Sequence, residues 1–234
     1  MKSTYIEIGA RQWNIQRYNR KGSLLSEESI CVPADILWDA EAMSELLPAD
    51  FSKNCGRLYI ILNISDTKVK LLASDDGIPS HFAKGFVTSR AGLWFTAVAE
   101  EIPRAIVEMC RINKIPLNRI MNIDTLEYCI ATYYSKHLND KLLWIFLSQE
   151  PGIRLIVVEL GKVKACFYFS NDPEFRLKEV SRIWMSLKEC LPDTVLVYPS
   201  DKPTLGWLSD FIIKQGTDIE MPVPVSYRDL ATMS

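Results

Sequence analysis

The side chains able to do chemistry are few and far apart. Six cysteines, Cys31, Cys55, Cys110, Cys129, Cys166 and Cys190, include no two within four residues of each other. The chain therefore has no CxxC pair for zinc or for dithiol redox chemistry, and each thiol sits in or beside an apolar pattern, the setting of buried, reduced cysteine. The two histidines, His81 and His137, have no partner at metal-ligand spacing. G-x-S-x-G, Walker A and H-E-x-x-H motifs are absent, which removes the usual nucleophile elbow, P-loop and zinc-protease readings. Glu100-Glu101 and Asp75-Asp76 are adjacent acids, and Asp75-Asp76-Gly77 reads as turn chemistry rather than a general acid–base pair. Lys68 with Lys70, and Lys162 with Lys164, project from single strand faces and read as solvated surfaces or as a docking patch for an acidic partner. Among the six tryptophans, Trp13 and Trp38 are the candidates for a partner-facing hot spot, whereas Trp144 and Trp184 fit core positions.

Composition narrows the class further. The chain has 234 residues, 48% hydrophobic and 24% charged, with 27 basic against 29 acidic side chains and a net charge of −2. That length and apolar content support one large domain or two small lobes. Interspersed charges of both signs do not make the clustered basic surface that displaces counterions from a polyanion, so nucleic acid is not an expected partner. No apolar run approaches the roughly 18–20 residues of a spanning helix, and Met1–Gly9 has no apolar signal core. The expectation is a cytoplasmic protein with no cofactor or metal.

The elements that would position these residues alternate between strands and helices. Strands are predicted at 4–9, 12–18, 24–32, 57–63, 68–73, 93–98 and 119–123, with a helix over 35–47, a loop or reduced insertion over 80–92 and a helix over 102–112. Asp124-Thr-Leu-Glu127 reads as a capping box opening a helix to about His137. Residues 142–169 follow as three strands, with Gln149–Gly152 as a turn and Gly161-Lys162 closing a hairpin. Asp172-Pro173 starts a helix with Leu177, Val180, Trp184, Leu187 and Leu191 on one face. A strand at 194–198, a helix over Pro203–Gln215 and an edge strand over Ile219–Val225 complete the chain. This order means α/β or α+β with two lobes, divided as 1–101 and 102–234.

The two halves repeat. One constant offset carries Gly22, in the first hairpin turn, onto Gly161, and carries Gly9 onto Ser148. Each half begins strand, sharp loop, strand, Gly-closed hairpin, strand, and such a duplication builds two similar lobes.

That pattern resembles the actin-like ATPase fold of sugar kinases, the heat-shock chaperone ATPase domain and actin: an α/β, ribonuclease H-like duplicated, two-lobed fold with mixed sheets, here with reduced subdomain insertions. In that family the loop between the first two strands of each lobe holds the nucleotide phosphates. Backbone amides must approach phosphate there, and a carboxylate must hold magnesium or its water. The resemblance places vestigial phosphate-loop positions at Glu7, Gly9 and Ser148. This sequence departs from the pattern at both loops. Gln12 and Trp13 are bulky in the first. In the second, Phe146 stands where the acid belongs, and Pro151 has no amide to donate. Nucleotide hydrolysis is therefore not expected.

Leu58–Leu72, Phe95–Met109 and Ile123–Ala131 further resemble a narrower group with degenerate sites: the cytoplasmic part of the GspL protein of type II secretion, PilM-like proteins of type IV pilus assembly, and their bundle-forming pilus counterpart. The resemblance implies a non-catalytic scaffold at the inner face of the bacterial inner membrane. Its implied partners are a cytoplasmic assembly ATPase and inner-membrane pilus or secretion proteins. GspL-like proteins carry a transmembrane helix after this part, so the chain is expected to be a soluble member or an isolated cytoplasmic portion. The alternative is a nucleotide-binding, small-molecule kinase-like enzyme with divergent phosphate loops; a homo-oligomeric structural protein, a homodimer for instance, is a third reading.

Overall fold

In the computed structural model, residues 2–33, 36–72, 77–82, 84–149, 152–170, 172–186, 192–198 and 225–231 are described. They divide into two compact units, 1–129 with 227–234, and 130–226. The division expected after residue 101 falls later, because the helix at 101–112 packs on the helix at 40–46 and belongs with the first unit.

The first unit is built on a five-stranded sheet in the order β3-β2-β1-β4-β8. Its strands are β1 (Ser3–Gly9), β2 (Gln12–Tyr18), β3 (Leu24–Cys31), β4 (Arg57–Asn63) and β8 (Ile120–Thr125). β1, β2 and β3 run as antiparallel neighbours, while β1, β4 and β8 are parallel. Strand periodicity gives the sheet two different faces. Ile6, Ile8, Trp13, Ile15, Ile60 and Leu62 point into one core with α1 (Ala40–Leu46) and α3 (Glu101–Ile112). By register, Tyr5, Glu7, Asn14, Gln16, Tyr59, Asn63, Asn122 and Asp124 share the other face.

α1 is shorter than the helix expected over 35–47. Asp39 is its N-cap, accepting from the amides of Glu41 at 3.0 Å and Ala42 at 3.1 Å, and Trp38 before it sits at φ 72°. A one-turn helix, α2 (Phe51–Asn54), was not anticipated. A small sheet, β5-β7-β6, comprises β5 (Lys68–Leu71), β6 (Phe86–Ala91) and β7 (Trp94–Ala99). The loop expected over 80–92 is thus a 3-10 turn at Ser80–Phe82 followed by a strand, paired with β7 through Gly92 at φ 60°. Phe86–Ala91 contains only one large apolar residue per face, Phe86 and Val87, so its alternation gave little signal.

The capping box is also corrected. Asp124 lies in β8, bonded to Ser89 and Asn122, and α4 (Leu126–His137) starts two residues later. Thr125 serves as the cap, its Oγ1 accepting from the Tyr128 amide at 3.2 Å.

The second unit holds a four-stranded sheet, β11-β10-β9-β12, of β9 (Leu142–Gln149), β10 (Gly152–Glu159), β11 (Lys162–Ser170) and β12 (Thr194–Tyr198). β9, β10 and β11 are antiparallel neighbours and β12 is parallel to β9, the same arrangement as β1, β2, β3 and β4. The duplication read in the sequence is therefore present in the strand topology. Every residue of β10 from Gly152 to Val158 is buried; a strand covered on both faces loses polar alternation, which explains its continuous apolar run. α5 (Pro173–Ser186) packs Val180, Ile183 and Trp184 against Trp144, Phe146 and Leu155. The hairpin turn is Leu160-Gly161, at φ 49° and 69°, rather than Gly161-Lys162; two positive φ values match the twist of the flanking strands.

The helix expected over Pro203–Gln215, the edge strand over Ile219–Val225 up to residue 224, the Asp75-Asp76 pair, Pro151, Leu187, Cys190, Leu191 and Trp207 lie outside the described residues. The last described element is α6 (Tyr227–Ala231), which belongs to the first unit.

Candidate functional site

Glu7 is the fifth residue of β1 and points to the polar face of the first sheet. Its side chain is 2% exposed, and a buried carboxylate needs donors to replace water. It has three. Asn63 Nδ2 donates to Oε1 at 2.8 Å, Asn14 Nδ2 donates to Oε2 at 2.7 Å, and the Tyr227 hydroxyl donates to the same Oε2. The register makes this possible: Glu7 lies opposite Asn14 on β2, and Asn63 lies opposite Gly9 on β4. Tyr227 arrives from α6, which packs on β1 and β4.

Asn14 is the hub of this site. Its Oδ1 accepts from Gln12 Nε2 and from Ser29 Oγ, both at 2.8 Å, and its Nδ2 also reaches the Tyr227 hydroxyl at 3.2 Å. Asn122 continues the pattern, donating to Asp124 at 2.9 Å and to the Ala231 carbonyl at 3.4 Å. At the other end of α6, Arg228 donates to the Gly22 carbonyl at 2.9 Å, lying where a Cβ on Gly22 would be, and stacks over Tyr18. α6 is thus pinned at both ends across the polar face.

Gly9 ends β1, and only Ala10 and Arg11 separate it from β2. A Cβ on Gly9 would come within 2.8 Å of the Gln12 carbonyl oxygen. The glycine therefore serves a tight two-residue connection.

In the second unit, Ser148 is half-buried within β9 and pairs with Ile153. Phe146, set against Glu7 by the sequence offset, is 1% exposed and faces α5 in the apolar core, as Ile6 and Ile8 face α1; matching the two hairpins at their two-residue turns puts the buried Leu147 at the place of Glu7 instead. Beside the turn, the buried Arg154 donates to the buried Gln149 at 3.1 Å and lies over the Tyr168 ring. Gly152 makes room for that ring, since a Cβ there would meet it.

The remaining candidates have structural placements. Trp13 is 0% exposed in the core of the first unit and presents nothing to a partner, which corrects the expectation for it. Trp38 is half-buried, packed against the same core. The His137 ring stacks on Tyr133 with centroids 4.0 Å apart, its Nδ1 2.8 Å from the Tyr133 carbonyl. Burial pushes the Cys110 thiol up to about 12, and burial with the nearby Asp124 and Glu127 holds the Cys129 thiol well above its ordinary value. Neither is a ready thiolate nucleophile. No group of three or more His, Cys, Asp or Glu among the described residues is arranged to hold a metal ion.

Sequence reasoning found Glu7 and Gly9 but missed Asn14, Asn63 and Tyr227. The asparagines become partners of Glu7 only once the strand order is known. Ser226–Ala231 offers too short an apolar pattern to read as a helix.

No known protein family matches the chain, and no curated protein matches it. Solved structures do. A Bacteroides thetaiotaomicron protein described as having an actin-like ATPase fold and unknown function aligns over 100% of this chain and 96% of its own, at 12% identity and a TM-score of 0.71. The PilM-PilN type IV pilus biogenesis complex aligns over 98% and 89%, at 12% identity and a TM-score of 0.61. The ethanolamine utilization protein EutJ from Carboxydothermus hydrogenoformans aligns over 99% and 88%, at 11% identity and a TM-score of 0.50. At these identities the likeness is one of fold: the chain has the actin-like fold. No helix among the described residues is long and apolar enough to cross a membrane.

Proposed function

We propose that the chain is a non-catalytic scaffold of a type IV pilus or type II secretion assembly platform, working through protein–protein contacts. Its partners in this reading are the cytoplasmic assembly ATPase and inner-membrane pilus or secretion proteins, and its place is the inner face of the inner membrane. The observation that carries the reading is the state of Glu7. The carboxylate that would hold magnesium in an actin-like ATPase is buried under α6 and bonded to Asn14, Asn63 and Tyr227. The apolar Leu147, buried at the corresponding place in the second unit, supports it. The likeness to a PilM-PilN complex supports the choice of machine.

Thermal-shift titration with ATP and magnesium tests this. A ligand that binds the native state must raise the melting temperature as its concentration passes Kd. The expected outcome is no shift at millimolar ATP. A concentration-dependent rise, lost in Glu7→Ala, would favour the second reading, a nucleotide-binding kinase-like enzyme, for which the retained Glu7 and Gly9 are the specific support.

A further inference from the structure

β3 is an outer strand: among the described residues it pairs with β2 alone. It is eight residues long, contains no proline and leaves Leu24 49% and Leu25 53% exposed. Edge strands present a row of unpaired backbone donors and acceptors, and natural sheets usually shorten or interrupt them. This one is not short, and its single irregularity is a bulge at Leu25 near one end, which leaves Ser26–Cys31 regular.

A cleft of about 250 Å³ opens beside it, lined by Lys2, Arg17, Leu25, Ser26, Glu28 and Asp50 among others. Ser26 and Glu28 are alternate residues of β3, so one side of the strand forms the cleft wall. An open strand edge with a cleft serving alternate positions is the geometry of strand addition, in which main-chain bonds hold the peptide and the cleft selects its side chains.

Charge selects the occupant. Leu24–Cys31 carries two carboxylates and no basic side chain. Glu27 is exposed and bonded to Gln16 at 2.7 Å, while Glu28, on the opposite face, pairs with Arg17 and keeps 40% of its side-chain surface open. A second copy of the chain does not fit this edge. Antiparallel self-pairing centred on the strand would set Glu27 against Glu27, or Glu28 against Glu28, of the copy, and like charges directly opposite destabilise a pair.

We propose that the β3 edge receives an extended segment of a partner protein as an added strand, basic at its centre and apolar beside Leu24 and Leu25. The proposal rests on the reading of the chain as a scaffold that works through protein contacts, and it names the chemistry of one partner segment.

The test uses the full chain and a fluorescein-labelled peptide, Thr-Val-Thr-Arg-Arg-Thr-Leu-Val, written to lie antiparallel along β3, with a Glu-Glu counterpart at its centre. By fluorescence anisotropy the Arg-Arg peptide is expected to bind about tenfold tighter than the Glu-Glu peptide. Glu27→Lys, at an exposed position, is expected to remove or reverse that preference while leaving the melting temperature unchanged. Hydrogen exchange of residues 24–31 is expected to slow when the Arg-Arg peptide binds. Equal binding of the two peptides, no binding of either, or binding without slowed exchange in 24–31 would each overturn the proposal. So would a dimer in light scattering that Glu27→Lys strengthens, since the edge would then belong to a second copy. ATP does not enter this assay, so failure here and failure of the scaffold reading are read separately.

Discussion

Removing the hydroxyl of Tyr227 leaves one oxygen of a buried carboxylate with a single donor, Asn14. Hydrogen bonds to charged groups contribute more than neutral ones, and a buried acceptor stripped of its partner bears the desolvation cost. Tyr227→Phe should therefore lower stability by about 1–3 kcal/mol, read as a fall in the urea midpoint at unchanged slope. Combining it with Glu7→Gln in a double-mutant cycle should give a coupling energy of about 0.5–3 kcal/mol, because the two side chains act on each other. An unchanged midpoint in Tyr227→Phe would mean that Glu7 is not held by this contact, and the argument that its carboxylate is structurally committed would fail.

α6 depends on that face for its existence. A five-residue helix is too short to be stable alone, since nucleation outweighs the few hydrogen bonds it gains. It forms because Tyr227, Leu230 and Ala231 are buried and because Arg228 and Asn122 tie its two ends. Leu230, at 0% exposure, should cost about 2–5 kcal/mol when truncated to alanine. The loss should appear as a lower melting temperature together with faster hydrogen exchange in β1 and β4, the strands α6 covers. Unchanged exchange there would show that α6 contributes little to the sheet. This is the level at which the sequence was only partly legible. The strands of both halves were readable because Val, Ile and aromatic residues alternate or run between turn residues, and the offset of Gly22 and Gly161 exposed the duplication. α6 was not readable, because its only signal is burial on a distant polar face. β6 was not readable, because Phe86 and Val87 are its only large apolar residues. Asp124 was misassigned because an acid three residues before Glu127 satisfies the capping pattern, whereas the parallel pairing of β8 with β4 keeps it in a strand and moves the cap to Thr125. Trp13 was misplaced for a related reason: strand alternation puts it on the inner face, and proximity to a loop in sequence does not decide facing.

Across the whole molecule, buried weak acids set an alkaline limit on folding. Burial pushes the Cys110 thiol from 9.0 up to about 12, with Cys55 adding to the shift, and pushes the Tyr134 hydroxyl from 10.0 up to about 12, with Tyr133 adding to it. Burial also raises Tyr5. Each group holds its proton more tightly in the folded chain than in the unfolded one. Their contribution to stability is therefore fully present below the unfolded values of 9.0 and 10.0 and is lost as pH rises through the folded values near 12. Above pH 9.0 the unfolded chain binds fewer protons than the native chain, so the slope of unfolding free energy against pH is negative. Cys110 and Tyr5 lie in the first unit and Tyr134 in the second, so both units should weaken as pH rises. Urea midpoints measured from pH 8 to 11 should stay level at first and then fall; in a Cys110→Ala variant, compared with its own value at pH 8, the fall should begin later and be shallower. A variant whose midpoint falls in parallel with the wild type would show that the Cys110 thiol does not govern the onset, leaving Cys129 and the buried tyrosines as the cause.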